Sequence, residues 1–89
     1  NLGNISNCLK GVQGIIRFQI NQNNISSILV LIEKDDQLYS SIYENVFIQN
    51  LRDRLGKKIE VIIKYVDEIA VEKSGKFRLV KNNITTQFK

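Results

Sequence analysis

The chain has 89 residues, room for one small domain, and its single cysteine, Cys8, cannot close an internal disulfide. Its 43% apolar content is that of a globular rather than a disordered chain, its net charge of +4 is modest, and its longest apolar run is too short to span a bilayer. There is no histidine, which removes the commonest general base and metal ligand and leaves Cys8 without the partners a nucleophile or a zinc site needs.

The elements follow in chain order. Ile5, Cys8, Leu9 and Val12 have the spacing of one helical face, and Gly11 and Gly14 end that short helix. Cys8 is then a small core residue. Ile15 to Ile20 alternates, with Ile16, Phe18 and Ile20 on one face and Arg17 and Gln19 on the other. A polar turn over Asn21–Asn24 leads into a largely apolar strand, Ile25 to Glu33, which makes a hairpin with the first. The unbroken run Ile28–Ile32 predicts a central strand, covered on both faces or on one face plus a partner.

After a loop at Lys34–Gln37, Ser41 and Glu44 match a capping box. The helix they open carries Phe47, Leu51 and Leu55 one turn apart, flanked by Tyr43 and Ile48, and it stops at Gly56. Lys57 and Lys58 suit the negative end of its dipole. Ile59 to Val66 alternates as a third strand, and Phe77 to Val80 is a short extended piece after a Ser74-Gly75 turn. The order α-β-β-α-β, with a short last strand possible, predicts a small two-layer α+β sandwich: a mainly antiparallel sheet with helices on one face. No linker, repeat or second domain is visible, so 1–89 reads as a single small domain.

The remaining polar residues are bland. Asp35-Asp36 and Asp67-Glu68 read as solvated loop acids rather than metal ligands. Tyr39, Tyr43 and Tyr65 read as half-buried packing. Asn-x-Ser/Thr triplets at Asn4, Asn24 and Asn83 mean little in a chain with no secretory pattern, and a cytoplasmic setting is expected. Nucleic-acid binding would want a broader basic face with interleaved aromatics, and Lys57-Lys58 is the only other basic cluster. Membrane binding has no support either. No methionine stands at position 1, so a trimmed product or a piece of a longer protein is expected.

The stretch Lys73-Ser74-Gly75-Lys76-Phe77-Arg78 is the most informative. The acids stop at Glu72, while Lys73, Lys76, Arg78, Lys81 and Lys89 follow. A Ser-Gly step makes a tight turn and lets the backbone approach a partner closely, and the lysine after it projects a point charge suited to phosphate or carboxylate. Arg78 is expected to form a salt bridge or cap a strand end.

Joined to Ile59-Glu60-Val61-Ile62-Ile63-Lys64-Tyr65-Val66-Asp67-Glu68-Ile69, this stretch resembles the carboxyl-terminal domain of the phenylacetate–coenzyme A ligase family of adenylate-forming enzymes, capsule-biosynthesis relatives included. Gly11 to Ile20 resembles the family's helix end and first strand, and the likeness runs from about Ile5 to Val80. The resemblance implies a mobile lobe that turns over a large amino-terminal domain of the same protein. It implies a two-step reaction: a small-molecule carboxylate and ATP, with its magnesium, give an acyl-adenylate, and coenzyme A then takes the acyl group. It implies that Lys76 is the lysine brought to adenylate formation, on a nucleotide loop with Ser74 and Gly75. Departures exist: Ala70 stands where relatives usually carry proline, the family's Gly-Arg hinge is missing before the first helix, and the phosphate loop and pockets belong to the large domain. The isolated chain is therefore expected to be inactive. The alternative is a free-standing module that binds a metabolite or forms a homodimer through an open strand edge.

Overall fold

The computed structural model describes residues 7–75 and 77–82. Among them run β1 (Ile15–Asn24), β2 (Ser27–Lys34), α1 (Ser41–Leu55), β3 (Glu60–Tyr65) and β4 (Val80–Asn82). The four strands form one sheet in the order β3-β2-β1-β4. The α+β class holds, with one helix packed on one face of the sheet.

The sheet is mixed rather than mainly antiparallel. β1 and β2 form the expected antiparallel hairpin, with Phe18 opposite Ile32 and Ile20 opposite Val30. β3, however, joins β2 in parallel, with Val30 opposite Ile63, and β4 joins β1 in parallel, with Ile20 opposite Val80. The cause lies in the connections. α1 carries the chain back to the end from which β2 started, so β3 enters in the direction of β2. The chain from Val66 to Leu79 then turns back to the opposite edge of the sheet, where β4 runs with β1.

Other boundaries move for local reasons. β1 continues through the asparagines, and the turn falls at Ile25 and Ser26, where Asn24 Oδ1 accepts from Ser26 N–H at 2.9 Å. Asn7–Leu9 is a single 3₁₀ turn, and Ile5 lies outside the described residues. The last strand begins at Val80 instead of ending there. The capping box does not form. Ser40, in extended conformation, precedes the helix without a side-chain cap, and Glu44 instead accepts from the Tyr65 hydroxyl. Gly56 does end α1, at φ +100°, with its N–H donating to Arg52 O at 2.8 Å.

Strand alternation sorts the side chains into two faces. Phe18, Ile20, Ile28, Val30 and Ile32 point to α1 and form one buried cluster with Phe47, Leu51 and Cys8. Phe47 meets Phe18 edge to face at 5.1 Å. Cys8 is fully buried, which pushes its thiol pKa up and keeps the sulfur inert. Asn50 of α1 holds the turn around it, donating to Cys8 O at 2.7 Å and Lys10 O at 2.9 Å. The opposite face carries Arg17, Gln19, Leu29, Leu31, Glu33 and Ile62. β2 is thus central as expected, buried on one face and half-buried on the other.

Gly14 sits where no other residue fits. Its φ is +89°, and a Cβ there would lie 2.5 Å from the backbone nitrogen of Tyr39. Its carbonyl accepts from Asp35 N–H at 2.7 Å, so the β2–α1 loop is laid directly across it. Gly14→Ala is expected to cost about 2 kcal/mol or more, from strain plus the forced loop shift. In a domain of this size that lowers the thermal midpoint by roughly 8–16 °C. A midpoint unchanged within a degree or two would show that the loop yields freely.

Candidate functional site

The Ser74-Gly75 turn lies at the far end of the β3–β4 connection. Ser74 and Gly75 are exposed, and Gly75 N–H donates to Glu72 O at 2.7 Å. Gly75 has φ +84° with open space where a Cβ would stand, so backbone conformation rather than crowding calls for glycine there. Lys76 lies outside the described residues.

Both legs of the turn are tied down. Arg78 Nε pairs with Glu72 Oε2 at 2.6 Å, the salt bridge expected for Arg78. Arg78 O accepts from Gln19 Nε2 at 2.8 Å, and Leu79 O accepts from Ile20 N–H at 2.8 Å. On the other leg, Ile69 is buried, 2% exposed. Its N–H donates to Glu33 Oε2 at 2.7 Å, and its carbonyl accepts from Arg17 Nη2 at 3.4 Å.

Glu33 is the centre of this anchor. It is only 8% exposed, and the same Oε2 accepts from Arg17 Nε at 2.9 Å and Nη2 at 2.5 Å. The Arg17 guanidinium also lies 5.0 Å from the centroid of the Phe77 ring. A register shift between Ile15 and Arg17 marks a bulge in β1 just before the arginine, the kind of irregularity that re-aims a side chain. The Arg17 and Ile69 hydrogen bonds hold the Glu33 carboxyl below the usual carboxylate range, against the opposing effect of its burial. Because the folded value lies below the unfolded one, this stabilisation is complete above the unfolded carboxylate value of about 4.3 and fades as pH falls through the lower folded value. Amide exchange at Ile69, corrected for its intrinsic pH dependence, is expected to be level from neutral pH down to about pH 5 and to quicken in stronger acid. Loss of protection already at pH 6 would contradict this account of Glu33.

A second cluster lies at the carboxyl ends of β2 and β3. The Tyr39 and Tyr65 hydroxyls are 3.0 Å apart, their rings meet at 5.6 Å, and Tyr65 donates to Glu44. Burial first, and then the Glu44 and Tyr39 hydrogen bonds, push the Tyr65 phenol well above its ordinary range. It is a neutral donor at any physiological pH. The acid pairs fall in with local structure: Asp36 pairs with Lys34, and Asp35 Oδ1 accepts from Gln37 N–H at 2.9 Å. Among the described residues, no group of three acidic or sulfur side chains is placed to hold a metal ion.

Sequence reasoning located the turn and missed the anchor. Glu33 at the end of an apolar strand, and Arg17 alternating with core residues, were the signals available. Their meeting with Ile69 rests on the path of the β3–β4 connection, which periodicity does not reveal. The Tyr39–Tyr65–Glu44 chain left no signal, since its members belong to three separate elements.

One helix on a mixed four-stranded sheet, with a basic turn anchored to the sheet's other face, defines a small α+β module that presents a loop. Residues 1–83 match the family model of the CapK C-terminal domain, and the chain belongs to that family. The description is of a carboxyl-terminal domain, which implies another domain before it in the full protein. No curated protein and no solved structure matches the chain significantly.

Proposed function

We propose that this domain is the mobile carboxyl-terminal lobe of an ATP-dependent, AMP-forming carboxylate–coenzyme A ligase, and that it supplies Lys76 to acyl-adenylate formation. The observation that carries the reading is the exposed Ser74-Gly75 turn, its legs tied to the sheet, immediately before a lysine in a chain of the CapK C-terminal domain family. The resemblance of residues 59–78 to the phenylacetate–coenzyme A ligase family supplies the reaction.

In that reaction a carboxylate oxygen attacks the α-phosphorus of ATP, and pyrophosphate leaves. The thiol of coenzyme A then takes the acyl group and AMP is released. The first step gathers negative charge between the carboxylate and the α-phosphate. An ammonium about 4 Å away contributes on the order of 4 kcal/mol at an effective dielectric near 20. The positive φ of Gly75 and the shortness of the turn allow close approach to a nucleotide held elsewhere. On this reading ATP, its magnesium and coenzyme A are held by the large domain that precedes this lobe.

The test is acid-dependent ATP–pyrophosphate exchange by the full-length protein across a panel of aryl acids. Exchange with at least one acid is expected. A folded, full-length protein that exchanges with none would leave the domain as a binding or dimerisation module instead.

A further inference from the structure

Among the contacts that the β3–β4 connection makes with the sheet, those of Ile69 before the turn and Phe77 after it share one side chain. Arg17 donates to Ile69 O and lies under the Phe77 ring, while Glu33 holds the guanidinium by two of its nitrogens and takes the Ile69 N–H itself. We propose that Arg17, oriented by Glu33, is a positioning residue that sets where the tip at residues 70–75 is carried relative to the sheet.

The geometry favours a role beyond adding stability. A guanidinium is planar, with donors along its edge and a face free for an aromatic ring, so it can fix a backbone group and a ring at once. A lysine in its place keeps the charge but supplies neither the fork nor the flat face. The two contacts lie on either side of the tip, so removing Arg17 loosens both legs at once. It takes away the orienting partner of Glu33, which holds Ile69, and the seat of the Phe77 ring, leaving the second leg on its Gln19–Arg78 and Ile20–Leu79 hydrogen bonds. The Glu72–Arg78 pair would still hold the legs to each other, and Gln19 would still hold Arg78.

The catalytic half of this inference rests on the ligase reading; the anchoring half does not, and the experiment separates them. Full-length Arg17→Lys and Arg17→Gln would be compared with wild type by peptide-level hydrogen exchange over 66–79 and by ATP–pyrophosphate exchange. Exchange around Ile69 is expected to quicken roughly tenfold or more in both variants. The rate at saturating ATP is expected to fall roughly 10- to 100-fold while KM for ATP changes little, because a displaced group loses its effect on the reaction rather than on binding. A paired Arg17→Met/Glu33→Met variant guards against simple misfolding. It leaves no charge of the pair unpaired but takes the acceptor from the buried Ile69 N–H, so a cooperative melt at a moderately lowered midpoint is expected while the Ile69 exchange stays fast.

Unchanged protection at Ile69 in the Arg17 variants overturns the anchor. Lost protection with full catalytic rate leaves an anchor and overturns the positioning role. If the wild-type protein itself fails to exchange, the ligase reading falls, and hydrogen exchange alone decides whether Arg17 holds the tip.

Discussion

Replacing Lys76 by alanine in the full-length protein is expected to lower ATP–pyrophosphate exchange by roughly 10² to 10³ with KM for ATP little changed. The size follows from the charge being neutralised. Carboxylate and α-phosphate repel each other most as the new bond forms, and one ammonium held close to both is worth more in that state than in the ground state. A loss confined to the rate would mark that difference, whereas a rise in KM alone would mean that the lysine only helps to bind nucleotide. Arginine is the sharper substitution. It keeps the positive charge but spreads it over a wider, planar group, so Lys76→Arg is expected to recover little of the lost rate. Full activity in Lys76→Ala would keep a ligase, if exchange is seen, and remove Lys76 from its site.

The largest expected effect on stability is Phe47→Ala, about 3–5 kcal/mol. Phe47 is fully buried, projects from the middle of α1, and meets Phe18 edge to face in the main core cluster. A chain of 89 residues has a total stability of about 4–13 kcal/mol, so the change consumes much of it. Denaturant titration should show a lower midpoint with the slope unchanged. Phe47→Leu keeps most of the volume and is expected to lose about half as much or less. A loss under about 1 kcal/mol for the alanine variant would mean that α1 contributes little to holding the sheet. Because that core lies on the face opposite Arg17 and Glu33, the two sets of variants are expected to be nearly additive.

Several features of this chain were legible from periodicity alone. Phe47, Leu51 and Leu55 repeat one turn apart, so α1 had to turn that stripe inward, and it buries Phe47 and Leu51 fully and Leu55 in part. Phe18 and Ile20 alternate with Arg17 and Gln19, which identified the core face of β1, but Ile16, expected on that face, is 63% exposed because the register shifts between Ile15 and Arg17. Gly56 at the end of the apolar stripe marked the end of the helix. In each case a short-range rule was enough, because the side chains that decide the conformation are within a few residues of one another.

Where the sequence misled, a distant group was involved. Glu44 looked like the reciprocal partner of a capping serine, yet the Tyr65 hydroxyl takes its carboxylate, and a cap worth about 1 kcal/mol is easily outbid by a tertiary contact. Strand direction was misread because alternation is the same in parallel and antiparallel strands. Only the crossover through α1 and the return of Val66–Leu79 to the far edge decide it.

By itself, then, the sequence determined the α+β class, the helix, the hairpin, the buried faces and the position of a basic Ser-Gly turn. The tertiary structure decided the mixed order β3-β2-β1-β4 and placed Ile69 and Phe77 on Arg17. The physical reason is range. Side-chain period and turn chemistry are set by neighbours in the chain, whereas the Glu33–Ile69 bond joins residues 36 apart and exists only once the β3–β4 connection has crossed the sheet.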